Sequence, residues 1–179
     1  MFDRKRAISF LLRRPGTLQS RAARLAVLAL AATGAGFLVW SGVIHLILWT
    51  DGYKDISVIG PLFLAQGIGT ILLGVAIVAL RWLALLVIGA VTGVATAIGL
   101  LLTVYVGLFN YKESLAVPYA TLSLAVEFTA AFVLLIGALL LAFAAPVKAT
   151  GRPTPVPSRR NPVLSALPQR FSSAGNRQK

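Results

Sequence analysis

Polar residues are so sparse between Leu25 and Ala145 that the chain reads as four long apolar runs, Leu25 to Trp49, Val58 to Leu80, Trp82 to Phe109 and Leu115 to Ala145, parted by short polar breaks. An apolar helix of about 20 residues covers roughly 30 Å, the thickness of a bilayer's hydrocarbon core. Each run meets that length, so the pattern predicts an all-α, integral membrane four-helix bundle over residues 25–145. Arg81 alone separates the second run from the third. As one helix, Val58 to Phe109 would extend roughly 78 Å, more than twice the hydrocarbon core. The chain must therefore fold back at Arg81, with Trp82 beside it as an interfacial ring, which predicts a very tight hairpin.

Outside the runs the pattern changes. In the leader, residues 1–24, Phe2, Ile8, Phe10, Leu11 and Leu12 are interleaved with Arg4, Lys5, Arg6, Arg13 and Arg14 up to Pro15 and Gly16. Two readings stay open for it: a short helix lying in the membrane interface, or a mobile basic leader. The first run exceeds the length of a signal-peptide core and no small-residue cleavage site follows it before Trp49, so it reads as an uncleaved first span. From residue 146 to 179, Pro153, Pro155, Pro157, Pro162 and Pro168 are mixed with Ser, Asn, Gln and Arg. Such a composition offers too little apolar surface to offset the entropy of ordering, which predicts a disordered basic tail.

Charge orients the threading. The formal net charge of +12 would raise the question of nucleic acid. Its placement at the two ends of the chain points instead to anionic lipid headgroups and to no nucleic acid. Of the 17 basic residues, only Lys54 and Lys112 fall on one side of the four runs, beside Asp51, Asp55 and Glu113. The other basic residues all fall on the opposite side. Because Lys and Arg in short flanking segments stay cytoplasmic, the expected product is a multi-pass protein of the inner (plasma) membrane with both termini and the tail in the cytoplasm. A hydrophobic content of 58% and a mean hydropathy of +0.85 agree with lipid rather than water as the solvent. The absence of cysteine excludes disulfides, thiolate catalysis and Cys-ligated metal centres.

Few residues offer chemistry. Glu127 lies about ten residues into the fourth run, roughly 15 Å deep and close to the bilayer centre. A carboxylate there costs a few kcal/mol, so it faces the bundle interior and finds a partner. It is either a proton or cation relay or a hydrogen-bonding staple between helices. By depth its company is Gln66 in the second run, His45 in the first and Tyr105 in the third. These four form the expected intramembrane polar cluster. His45 also invites haem or zinc, but bis-His haem needs a second histidine and the chain has one. The expectation is no cofactor, no metal and no catalytic set, hence no enzyme; a phosphate-binding loop, a dinucleotide fingerprint and a nucleophile elbow are all missing. Gly89 and Gly93, continued by Ala97, give the third run a close-packing stripe for the bundle itself or for a homodimer.

The string SGVIHLILWTDGYKDISVIGPLF, residues 41–63, with Gly42, His45, Leu46, Trp49, Tyr53, Ile59, Gly60, Leu62 and Phe63, resembles small four-span integral membrane proteins of actinobacteria. The resemblance implies a fold and a location and carries no activity. The residues themselves suggest an accessory or scaffolding subunit of a membrane complex, with a membrane-protein partner or a homo-oligomer. The alternatives are a small proton-coupled transporter using Glu127 and a haem-binding redox subunit.

Overall fold

A computed structural model describes residues 4–146. Among them no strand forms, and the chain runs through α1 (Arg4–Leu11), α2 (Arg21–Thr50), α3 (Ile59–Leu80), α4 (Leu83–Tyr105) and α5 (Ala120–Phe143). The last four are each long and apolar enough to cross a membrane. The tail expected beyond Pro146 lies outside the described residues.

The helix ends differ from the apolar runs where the backbone chemistry differs. α2 starts four residues before Leu25 because Ser20 caps it, its hydroxyl accepting from the Ala23 amide at 3.3 Å. The third run does not stay helical to Phe109. α4 stops at Tyr105, and the chain turns through Gly107 at φ +87° into a two-residue hairpin. Leu108 and Tyr111 exchange both backbone bonds at 2.8 Å, while Phe109 and Asn110 at its tip take positive φ, as a type I′ turn requires. α5 likewise begins at Ala120 rather than Leu115, after Pro118 and a left-handed Tyr119. The hairpin at Arg81 is as tight as the single charge implied: Arg81 is the left-handed C-cap of α3, Trp82 is extended, and α4 begins at Leu83.

α2 packs closely against both α3 and α5, α4 packs on α5, and α3 and α4 barely touch although two residues join them. The order around the bundle is therefore α3, α2, α5, α4, with one side left loose. The end carrying the start of α2 and the Arg81 turn is here the terminal end, and the opposite end is the loop end.

The core lies in the terminal half. Val27, Ala31, Leu38, Ile77, Leu86, Leu134 and Leu141 are buried there in one cluster. Leu134 fills the space that Gly34 of α2 and Gly89 of α4 leave open; a Cβ on either glycine would come within 2.5 and 2.7 Å of it. Gly93 lies against the backbone of α5, where a Cβ would stand 2.8 Å from the Glu127 carbonyl oxygen. The Gly89 and Gly93 stripe thus serves packing inside the bundle. Across the α2/α3 seam Gly42 and Gly67 lie face to face.

Residues 13–18 close the terminal end. The Arg13 guanidinium donates to the carbonyls of Ala142 at 2.8 Å and Ala144 at 2.5 Å, satisfying the last acceptors of α5. Its own carbonyl accepts from the Leu83 amide at the start of α4. Arg14 stands 5.7 Å from the Trp82 ring centre, and Leu18 is fully buried. α1 itself buries nothing: Ile8, Phe10 and Leu11 are about half exposed, between basic residues.

Candidate functional site

Because α3 and α4 part toward the loop end, the bundle is open there where its other half is filled. A cavity of about 360 Å³ occupies that space, within the size range of small-molecule sites. Its walls come from the loops and from all four long helices, His45 and Leu48 from α2 and a helical stripe from each of the other three. α3 contributes Ile59, Leu62, Phe63 and Gln66; α4 contributes Thr92, Thr96, Gly99 and Thr103; α5 contributes Ala120, Ser123 and Glu127. The spacings of three, four and seven residues are those that keep side chains on one face.

Glu127 sits at the cavity's inner wall and is 2% exposed. Its Oε1 accepts from the Ser123 hydroxyl one turn earlier at 3.3 Å and from Ser41 of α2 at 3.4 Å. Its Oε2 is buried without a hydrogen-bond partner from the protein, and Nε2 of Gln66, another residue of the cavity lining, is in the same condition. Buried polar atoms are nearly always partnered. The two exceptions among the described residues belong to side chains that line one cavity.

His45 joins them. Its Nδ1 lies 2.8 Å from the Ser41 carbonyl, which can only accept, so Nδ1 carries the proton. In the neutral ring Nε2 is then an acceptor. It faces Glu127 Oε1 at 3.8 Å, too far for a hydrogen bond. The structure therefore brings His45, Gln66 and Glu127 to one cavity. It does not bring Tyr105, which is 69% exposed and points away from the cavity. Depth placed Tyr105 at the right height, but Thr103, about 200° around the helix from it, is the residue of α4 that faces in.

Glu113 and two tyrosines, absent from the expected cluster, close the loop end of the cavity. Glu113 Oε2 accepts from the hydroxyls of Tyr53 and Tyr111, the latter at 2.6 Å, and Oε1 accepts from the Ser114 amide. The Tyr53 ring stacks on Phe63 with centroids 4.7 Å apart, and Phe63 leans on His45 at 5.1 Å. A continuous path of side chains thus runs from the loops to the edge of the Glu127 site. Burial, and then the bond to Glu113, raises the Tyr53 hydroxyl's pKa above the ordinary phenol value. The same two causes raise Tyr111. Both phenols therefore hold their protons and act as donors to Glu113.

Among the described residues no three His, Cys, Asp or Glu side chains come together as a metal site. His45 and Glu127 form a pair only. Comparisons with protein-family models, with curated proteins and with solved structures found no match for this chain.

Proposed function

We propose that this chain is a multi-pass protein of the inner membrane, with both termini cytoplasmic, that binds a small amphipathic molecule in its loop-half cavity and carries it with Glu127 as the titrating anchor. The single observation behind this is the Glu127 carboxyl: 2% exposed among apolar helices, without a protein partner at Oε2, and lining with Gln66 a space large enough for a ligand. A buried polar group left without a partner costs about 1–3 kcal/mol, which a ligand supplying that partner returns as affinity. The surrounding walls are mostly apolar, so the ligand's body is greasy while one end is polar.

Membrane insertion is supported by the four long apolar helices and by their outward faces, where Leu72, Val75, Val91 and Phe132 are each about 60% exposed. Orientation is supported by charge. Arg4, Lys5, Arg6, Arg13, Arg14, Arg21, Arg24 and Arg81 gather at the terminal end with no acid among the described residues there. Since the chain lacks cysteine, single cysteines report the sidedness cleanly. In intact cells Lys112→Cys reacts with a membrane-impermeant maleimide, and Ser20→Cys reacts only after permeabilisation. The reverse pattern inverts the assignment.

The binding claim has its own test. Ala95 is exposed and lines the cavity, so Ala95→Trp fills the space without touching the core. In nanodiscs the native protein enhances the fluorescence of 1-aminoanthracene above that of empty discs, and Ala95→Trp loses the enhancement at unchanged helicity. Equal enhancement from both proteins removes the cavity as the binding place. An accessory-subunit role draws only on apolar outer faces, which lipid covers equally well.

A further inference from the structure

We infer that the ligand of this cavity is a lipophilic organic cation bearing N–H groups, an inference that rests on the cavity being a binding site. The first ground is charge. Glu113 and Glu127 both line the cavity, and no Lys or Arg does. Glu113 spends its oxygens on Tyr53, Tyr111 and the Ser114 amide, so Glu127 is the carboxyl left to meet a ligand.

The second ground is the sense of the hydrogen-bonding groups. The Thr96 hydroxyl donates to the carbonyls of Thr92 and Gly93, and Thr103 donates to Gly99 at 2.8 Å. With their protons directed to the helix backbone, both hydroxyls offer lone pairs only. His45 Nε2 is an acceptor by the tautomer that Ser41 imposes. Among the described residues Gln66 Nε2 is the one buried side-chain donor without a protein partner, and the Thr92 hydroxyl is the other donor on the cavity wall with none. A site so rich in acceptors selects a molecule rich in donors.

The third ground is the wall beside them. Phe63 stacks with Tyr53 and leans on His45, so aromatic surface borders the acceptors. A delocalised cation gains from ring faces as well as from the carboxylate. The ionised carboxylate is the form that pairs with the cation. Where Glu127 holds a proton beforehand, that proton leaves to water as the ligand enters, so charge in the cavity stays balanced.

Three tricyclic probes of similar size separate the possibilities: 9-aminoacridine, cationic at neutral pH; 9-aminoanthracene, neutral; and anthracene-9-carboxylate, anionic, with 1-aminoanthracene as a second neutral probe. The full chain is placed in phosphatidylcholine nanodiscs, whose zwitterionic surface does not concentrate a cation, and each probe is titrated against empty discs. The expected order of affinity is 9-aminoacridine first and the carboxylate last. Glu127→Gln is expected to weaken 9-aminoacridine about tenfold or more, the scale of a hydrogen bond to a charged group. Binding of 1-aminoanthracene, a neutral donor to the same carboxyl, should weaken less, and unchanged helicity by circular dichroism shows that the variant is folded. Undiminished 9-aminoacridine binding by Glu127→Gln, or preference for a neutral or the anionic probe, overturns cation selection while the cavity stands as a binding site. Failure of every probe overturns both.

Discussion

Gly42→Leu is expected to break the α2/α3 seam and leave the bundle without its loop-half architecture. A Cβ at Gly42 would stand 2.6 Å from the Gly67 carbonyl oxygen and 2.7 Å from both the Thr70 hydroxyl and Ile71. The nearest of these is backbone and cannot rotate away. Gly67 has a matching constraint, since its own Cβ would meet Leu46 at 2.6 Å and the Gly42 carbonyl oxygen at 3.1 Å. The two helices can accept a side chain here only by moving apart, and overpacking of this kind costs about 3 kcal/mol or more. Gly36 of the same helix has open space around it, so Gly36→Leu is the matched control, expected within about 0.5 kcal/mol of the native protein. Thermal unfolding in detergent, followed by circular dichroism, compares the two. Equal melting points would mean that α2 and α3 do not cross at Gly42.

The second large effect has opposite signs in stability and binding. Gln66→Leu removes a buried donor that no protein group satisfies. Without ligand the variant should therefore be more stable than the native chain, by about 1–2 kcal/mol. The same change should weaken the binding of anthracene-9-carboxaldehyde, whose carbonyl accepts from Gln66 Nε2, severalfold. A stabilising substitution that costs function is what a site held in readiness for a ligand predicts. Thermal midpoints and probe titrations on one preparation read both signs. A lowered midpoint would show that Gln66 already has a partner in the fold, and the cavity would lose one of its two anchors.

Much of this was legible in the sequence, and the rest failed for identifiable reasons. Four apolar runs are unambiguous in length, and a lone Arg81 inside a double-length run leaves the chain nowhere else to turn. Depth counting also permits His45, Gln66 and Glu127 to meet, with His45 level with Tyr105 and nearer the loop end than the other two. Depth fixes height along a helix but says nothing of which way a side chain faces, which is why Tyr105 was grouped with them and Thr103 was not. The stripe of Thr92, Thr96, Gly99 and Thr103 in an otherwise aliphatic helix was the available signal for the inward face of α4. Glu113 with Tyr53 and Tyr111 had no such signal, because the cluster joins two loops far apart in the chain. The early end of α4 also escaped: Val106 to Phe109 are apolar enough to continue a helix, but the backbone turns at Gly107.

On the function proposed above, the loose side between α3 and α4 decides where a solute comes from. In a bilayer that side faces acyl chains, so a molecule reaches Glu127 by diffusing within the leaflet and has already left the aqueous phase. Occupancy then follows the solute's concentration in oil, and each methylene added to its body, worth about 0.8 kcal/mol of transfer, sharpens the apparent affinity without any new contact to the protein.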